Sequence, residues 1–377
     1  MNRIAYISLI LFVLTGLFAD FIANDQPIIC KDNTGYHYPI LSNNFNRGKD
    51  CKVVLNPIIR YSANSIDKLN AGAISPFGYQ KLKTNQQRHF LGTDHLGRDV
   101  LAGLVHGTKI ALKIGTFSMF LAFIFGLLMS LYPSYYGDTG YRTKISSLAL
   151  ILLSVFIFIY FIFYRESIFS VLKQNDFSVL LVVLGLIIFL EIFWVLLLKI
   201  PLLRKPVSLP LDSFFTTIIK LFQSLPGTFV VLVMISLFKK PSMYNIIIVI
   251  AFLKWPIIAR YIRAEMLKIK QERFIEASKA LGLSDNIIIW RHALPHVLTA
   301  VIVALSFGFA GTILLESTLS FLGIGLPVDH VSWGSILSEA RADFSAWWLA
   351  IFPGFAIFLT ILLFNYIGNN ISKKTVK

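Results

Sequence analysis

Residues 276–295 read EASKALGLSDNIIIWRHALP, a polar, helix-forming island between two long apolar runs. A loop between membrane spans needs no such order unless something docks on it. Glu276, Ala277, Ser278 and Ala280 suit a short helix, and Glu276 with Lys279 adds an i,i+3 pair. Small side chains at 277, 278 and 280 let a partner approach closely. Gly282 is placed to end that helix. Pro295 is placed to start the next one, where its missing N–H costs nothing. An ordinary interhelical loop is the plainer reading of the same residues.

The rest of the chain puts this island in a membrane setting. The 377 residues are 56% hydrophobic, include 33 Phe, and have a mean hydropathy of +0.70. Apolar stretches fall at about 4–22, 108–132, 146–164, 178–199, 218–238, 244–259, 298–318 and 346–367. A span takes about 20 residues, because a helix rises about 1.5 Å per residue across about 30 Å of hydrocarbon. The expected fold is therefore an all-α membrane protein, a polytopic helical bundle of about eight transmembrane helices. The fifth and sixth stretches are the least clean. Lys239, Lys240 and Pro241 divide them, and Trp255-Pro256 breaks the sixth. The first stretch follows Arg3 and has no convincing small-x-small cleavage site after it, so it reads as a retained anchor rather than a signal peptide.

The net charge of +15 has to sit somewhere. In a soluble protein it would point to nucleic acid; here it fits the anionic inner leaflet, with no nucleic-acid partner. Arg3, Arg142, Lys144, Lys199, Arg204, Lys205, the basic residues of 260–295 and the tail residues Lys373, Lys374 and Lys377 fall on one side if the spans alternate. The positive-inside rule makes that side cytoplasmic, with both termini and residues 276–295, in a multi-pass protein of a bacterial inner membrane. Lys239 and Lys240 are a local violation.

Residues 24–100 form the one long hydrophilic stretch, on the outward side, and read as a small cap or irregular loop without a core of its own. Cys30 and Cys51, the only cysteines, both lie there. Outside the cytoplasm they suit a disulfide, which would contribute roughly 3 kcal/mol through the unfolded state; two free thiols are the alternative. The stretch ends in FLGTDHLGRDVLAGLVHGTKIAL, where Gly92, Gly97 and Gly107 break up the polar part and Asp94, Arg98 and Asp99 can pair near the surface. His95 has no spaced ligand partner and reads as a surface histidine.

Two of these motifs carry a resemblance. Glu276, Ala277, Ser278, Gly282, Leu294 and Pro295 are similar to the coupling loop of ABC-importer permeases, with Ser278 in place of a third alanine. Leu91, Gly92, Thr93, Asp94, Gly97, Arg98, Asp99 and Val100 resemble the LGTDxxGRDV signature of the dipeptide and oligopeptide subfamily. LSFLGIGLP at 319–327, Trp333-Gly334, Trp348, Pro353-Gly354, Asn365 and YYGD at 135–138 continue the pattern, that of a C-type subunit. The resemblance implies an inner-membrane permease working with a second, B-type permease, two cytoplasmic ABC ATPases and an extracytoplasmic solute-binding protein. Peptide is the solute it implies, and a metal chelate the alternative within the subfamily.

Tyr135-Tyr136-Gly137 and Asp212…Ser224-Leu225-Pro226 match parts of one family passage, yet about 70 residues separate them. That insertion is expected to supply two extra spans to a standard six-helix plan, as a lipid-facing hairpin or as a seat for an accessory subunit. Glu191 is its one ionisable residue in an apolar run. The expected division is 1–23, an N-terminal anchor; 24–100, the extracytoplasmic segment; 101–138, the start of the permease core; 139–209, the inserted hairpin; 210–367, the rest of the core with its coupling loop at 271–295; and 368–377, a cytoplasmic tail.

Enzymatic chemistry finds no foothold. The phosphate-loop spacing G-x-x-x-x-G-K-[ST] does not occur, and GLVHGTK at 103–109 has the wrong spacing. No metal-ligand set is read in the chain, and no triad is present. Cofactors are expected only as ATP and Mg²⁺ in the partner ATPases. A transporter driven by an ion gradient would call for intramembrane acids, and apart from Glu191 and Asp20 the apolar stretches are read as lacking them. A membrane scaffold would not need an ordered coupling loop.

Overall fold

A computed structural model describes residues 3–32, 35–41, 52–82, 87–144, 206–236, 238, 241–327 and 329–375. The described helices are α1 (Arg3–Leu17), α2 (Val100–Tyr136), α3 (Leu211–Ser224), α4 (Gly227–Ser236), α5 (Met243–Ile269), α6 (Arg273–Ala280), α7 (Leu294–Phe321), α8 (Trp333–Ala340) and α9 (Trp348–Thr375). The chain divides into two compact units, Met1–Leu131 with Ile219–Lys377, and Tyr132–Ile218.

Four helical stretches among the described residues are long and apolar enough to cross a membrane: α2, α5, α7 with the turns before it, and α9. A fifth is added if α3 and α4 form one broken span, bent by 91°. This overturns the expected count of about eight. The stretches at 146–164 and 178–199, with Glu191, lie outside the described residues. The stretch at 4–22 is helical in α1 for only 15 residues before a separate turn at Ala19–Ile22. At about 1.5 Å per residue that is near 22 Å, short of the hydrocarbon thickness. The stretch at 218–238 is interrupted between α3 and α4, at Leu225-Pro226, where proline lacks the N–H that a continuing helix would use. The expected break at Trp255-Pro256 does not occur: α5 runs through it, with both residues buried.

In the larger unit, α7 packs against α5 and α9. Ile110 and Ile114 of α2 interlock with Ile246, Ile247 and Ile250 of α5. Val231 of α4, Val249 of α5 and Leu319 of α7 form a second seam. Between helices in lipid such fits act through van der Waals contact, since hydrocarbon outside is as apolar as the seam. Asp20, after α1, receives Lys109 of α2 at 2.5 and 2.7 Å, and His106 Nε2 lies 2.8 Å from the carbonyl of Ala23. One acid was missed in the sequence reading of the spans. Glu316 of α7 is fully buried and takes hydrogen bonds from Ser320 (2.8 Å), Ser317 (3.3 Å) and Ser332. Three donors occupy its carboxyl, which makes it a structural anchor.

The segment before α2 is more ordered than an irregular loop. β1 (Ile29–Asp32) pairs antiparallel with β2 (Gly35–His37) and with β3 (Lys52–Leu55), in the order β2-β1-β3. Cys30 on β1 is fully buried and disulfide-bonded; Cys51, its expected partner, lies outside the described residues.

In the smaller unit, β4 (Arg142–Lys144) pairs antiparallel with β5 (Pro206–Ser208), and the Leu209 N–H donates to the Tyr141 carbonyl at 3.1 Å. Asp138 accepts from the backbone N–H of Ser213 at 2.9 Å and from its hydroxyl at 2.6 Å. That supplies an acceptor, and a negative charge, in the first turn of α3. The two ends of the 145–205 segment are therefore held side by side, with Asp138 tied to α3 just outside them. Deleting residues 140–209 is expected to leave a chain that inserts with residues 276–295 on their usual side. Labelling of a cysteine placed at Ser284 from one side of sealed vesicles reads this; a change of side would make the insertion part of the bundle's topology.

Candidate functional site

Two sites matched to motifs stand at opposite ends of the larger unit. The first is the signature at 91–100, ahead of α2. Gly92 (φ +79°) and Gly97 (φ +86°) adopt backbone conformations that favour glycine. A Cβ at Gly97 would come within 2.3 Å of the Asp67 carbonyl oxygen, and one at Gly92 within 2.5 Å of the Ile74 carbonyl oxygen. Gly107 plays another part: it lies inside α2, where its bare Cα admits the indole of Trp333.

These close approaches allow a polar core beside the apolar clusters around Ile59, Tyr61, Ala63 and Val100. Thr93, fully buried, donates to the Asn70 carbonyl (2.8 Å) and accepts from the Ile74 N–H (3.0 Å). Asp99 caps α2 by accepting from the Ala102 N–H at 2.7 Å. Its other oxygen meets Nδ1 of His89 at 2.7 Å, and the second ring nitrogen of His89 lies 3.5 Å from Asp67. Gln80 brackets the His89 backbone with two hydrogen bonds of 2.8 and 2.9 Å. Tyr61 stacks on the histidine ring at 4.2 Å. Burial, then the charges of Asp67 and Asp99, push the Tyr61 phenol up to about 12. At Asp67 burial works upward, but hydrogen bonds from Asn70, the Leu69 N–H and His89 outweigh it and hold the carboxyl below its usual range.

Asp94 and Arg98 pair with each other, both largely covered, while Asp99 turns to His89 instead. Asp94 accepts from the Leu96 and Arg98 N–H groups at 2.9 and 2.8 Å and from the Arg98 guanidinium at 2.5 Å. The other arm of Arg98 contacts Glu339 of α8. Trp348, at the start of α9, donates from its indole to the Thr93 carbonyl at 3.0 Å, and Trp333 of α8 donates to that of Leu104, also at 3.0 Å. The signature thus locks the segment before α2 to α8 and α9. His95 is only partly exposed, and its Nε2 is buried without a hydrogen-bond partner. Glu339, His89 and Asp67 were not singled out by sequence reasoning. Only their acid or imidazole character marks them, and Glu339 lies 241 residues from Arg98.

The second site is the segment between α5 and α7, at the other end of those helices. Gly282 follows α6 with φ +75°. The Leu283 N–H reaches the Ser278 carbonyl (3.2 Å) and the Gly282 N–H that of Lys279 (2.9 Å), the two bonds of a Schellman stop. α6 buries Ile275 and Ser278 and turns outward Glu276, Ala277, Lys279 and Ala280. Ser278 is therefore small for packing inward, its hydroxyl bonded to the Phe274 carbonyl at 2.7 Å, and not for the approach of a partner. Leu281 is 80% exposed and Trp290 50% exposed. Pro295 stands in the first turn of α7, as expected, but the helix does not begin afresh there. The chain is already helical from Asp285–Ile287 through a wide π-turn at Ile288–Ala293, which runs straight into Leu294 and α7. A π-turn before proline suits a residue that cannot donate to the preceding turn.

The family described as binding-protein-dependent transport system inner membrane component matches residues 207–377, from β5 through α9. The chain is 27% identical over 292 residues to the dipeptide transport system permease protein DppC of Alkalihalophilus pseudofirmus, covering 77% of this chain and 72% of that protein. It is 26% identical over 297 residues to the glutathione transport system permease protein GsiD of Pectobacterium atrosepticum, covering 78% and 75%. Over a shorter 133 residues it is 44% identical to a putative peptide transport system permease protein of Brucella suis, covering 35% and 45%.

Glu339 makes the signature junction sensitive to pH. Burial and then the charge of Asp94 push its carboxyl up from 4.5 to about 7, against the pull of Arg98. A raised carboxyl favours the folded state when protonated. Its contribution is therefore full below about pH 4.5 and is lost as pH rises through about 7. Thermal melting of the purified protein from pH 4 to 8 should show a fall in stability across this window that Glu339→Gln flattens. Equal pH slopes in the two proteins would refute the assignment.

Proposed function

We propose that this chain, a member of the peptide-type permease family of ABC importers, is a transport subunit that turns nucleotide-driven movement at α6 into rearrangement of its helix bundle. It is a non-catalytic permease, and ATP with Mg²⁺ would act in separate ATPase subunits. The observation that carries the coupling role is the α6 stop. A short helix exposes Glu276, Ala277, Lys279, Ala280 and Leu281, stops at Gly282, and is followed after a short turn by the long helical stretch from Asp285. An exposed leucine beside an ordered, partly charged helix is suited to a partner surface.

The transmission is mechanical. Residues 285–321 are helical throughout, so a shift imposed near Leu281 and Trp290 moves the foot of α7. α7 packs on α5 and α9, and near its far end Glu316 takes a hydrogen bond from Ser332, the N-cap of α8. Docked ATPases that change their separation on binding ATP would bias two arrangements of this bundle. The basic residues Lys268, Lys270, Arg273, Lys279 and Arg291 support a cytoplasmic place for this end, and the segment before α2 would then face outward to a solute-binding protein. A second, B-type permease would complete the path.

Peptide is the solute class this reading favours, supported by relatives whose names specify dipeptide, peptide and glutathione transport. Its test is reconstitution with the ATPases, second permease and binding protein in liposomes, where ATP-dependent uptake of a small peptide is expected. Failure of the chain to copurify with ATPases would sink the reading.

Gly282→Val tests the coupling helix. A Cβ at Gly282 meets no atom within 4 Å, so the cost is one of backbone conformation alone, about 1–2 kcal/mol. The variant should reach the membrane in normal amount and lose most ATP-driven uptake. Full uptake at normal expression would remove the assigned role.

A further inference from the structure

Lys254 stands eleven residues inside α5 and fifteen from its end. At about 1.5 Å per residue its ammonium starts from roughly 16 Å inside the nearer helix end, farther than a lysine stem reaches by snorkelling. The residues one turn to either side, Ala251 and Ile258, are buried, whereas Lys254 itself is only half-buried. Among the described residues it has no carboxylate at ion-pair distance and no hydrogen-bond partner. A charge at such a depth is costly and, when kept, faces a bundle interior or a water-filled path.

The wall opposite Lys254 is bare. A Cβ built on Gly311 of α7 would come 3.1 Å from the lysine Nζ, so any larger residue at 311 would crowd the ammonium. The acids within these helices are engaged elsewhere: Glu316 is held by three serines, and Glu265, three turns along α5, pairs with Lys268 at 3.4 Å. The ammonium thus lies against Gly311 without a counter-charge among the described residues, and Lys254 is only partly covered.

We propose that Lys254 lines the solute path and receives the carboxylate of the transported solute, so that the permease favours solutes with a free anionic terminus. This rests on the reading of the chain as a peptide-importer subunit. A peptide ends in a carboxylate at neutral pH, and in a site shielded from water an ammonium–carboxylate hydrogen bond is among the stronger polar contacts. The lysine would replace part of the hydration that the carboxylate gives up on entering the bundle. When the path opens to the other side, water reaches both groups and the pair separates.

The test uses the full reconstituted complex and two probes, trialanine with a free C-terminus and trialanine C-terminal amide. With the wild-type chain, ATP-driven uptake of the free acid should exceed that of the amide. Lys254→Met should lower that acid-to-amide ratio about tenfold, through loss of a charged hydrogen bond. Lys254→Arg should keep most of the preference. The binding protein is the same in every arm, so only a change in the ratio counts. An unchanged ratio in Lys254→Met, or equal loss of both peptides, would overturn the proposal and leave the transport reading standing. Absence of any ATP-driven peptide uptake by the wild-type complex would instead overturn the transport reading, and this proposal with it.

Discussion

A polar group held inside an apolar bundle has to find its partner within the protein, because hydrocarbon supplies none. That constraint organises the larger unit. Glu316 sits fully buried in α7 because Ser317, Ser320 and Ser332 surround its carboxyl. Ser332 also accepts from the Ser335 N–H and so caps α8, which ties the end of one long helix to the start of a short one. Asp20 and Lys109 meet the same need where α1 ends. Lys254 is an exception among the described residues, and the bare Cα of Gly311 beside it keeps the exception sterically possible.

The signature segment solves a related problem by other means. Beside apolar clusters that include Ile59, Tyr61, Ala63 and Val100, it buries His89, Asn70, Thr93 and Asp99 and pairs them with one another and with backbone groups. Such a network is stabilising only when it is nearly complete, since each unpaired buried group carries its full desolvation cost. Two atoms are left over, Nε2 of His95 and one oxygen of Glu339, and both lie where this network meets α8. The locks at Arg98–Glu339, Trp348–Thr93 and Trp333–Leu104 tie the signature and the first turns of α2 to α8 and α9.

At the other end the architecture is simpler. α6 is short, exposed and stopped by a backbone device that needs glycine, and the helical turns beyond it are continuous with α7. A stiff helix running from the turn after α6 into the packed bundle would pass movement of its foot on to α5 and α9. The π-turn at Ile288–Ala293 is the one irregularity along that course, and its place just ahead of Pro295 follows from the proline's missing donor.

Local chemistry determined a good part of this protein by sequence alone. The apolar runs of α2, α5, α7 and α9 announce membrane helices, the run at 276–282 announces a short helix with a glycine stop, and Gly92 and Gly97 mark turns, because each of these depends on neighbours a few residues away. The number of spans did not follow from hydropathy. α1 stops at 15 residues, and Leu225-Pro226 separates α3 from α4, for reasons of backbone geometry that an apolar average does not register. Only the tertiary structure decided that Ser278 points inward, that Arg98 answers to Glu339, that His89 lies between two aspartates, and that Glu316 is satisfied while Lys254 is not. Apart from Ser317 and Ser320, one and four residues from Glu316, those facts rest on contacts between residues from ten to more than two hundred positions apart, or on which flank of a helix a neighbour covers. No periodicity or spacing in the chain encodes which of the available partners a polar side chain will meet once the helices have packed.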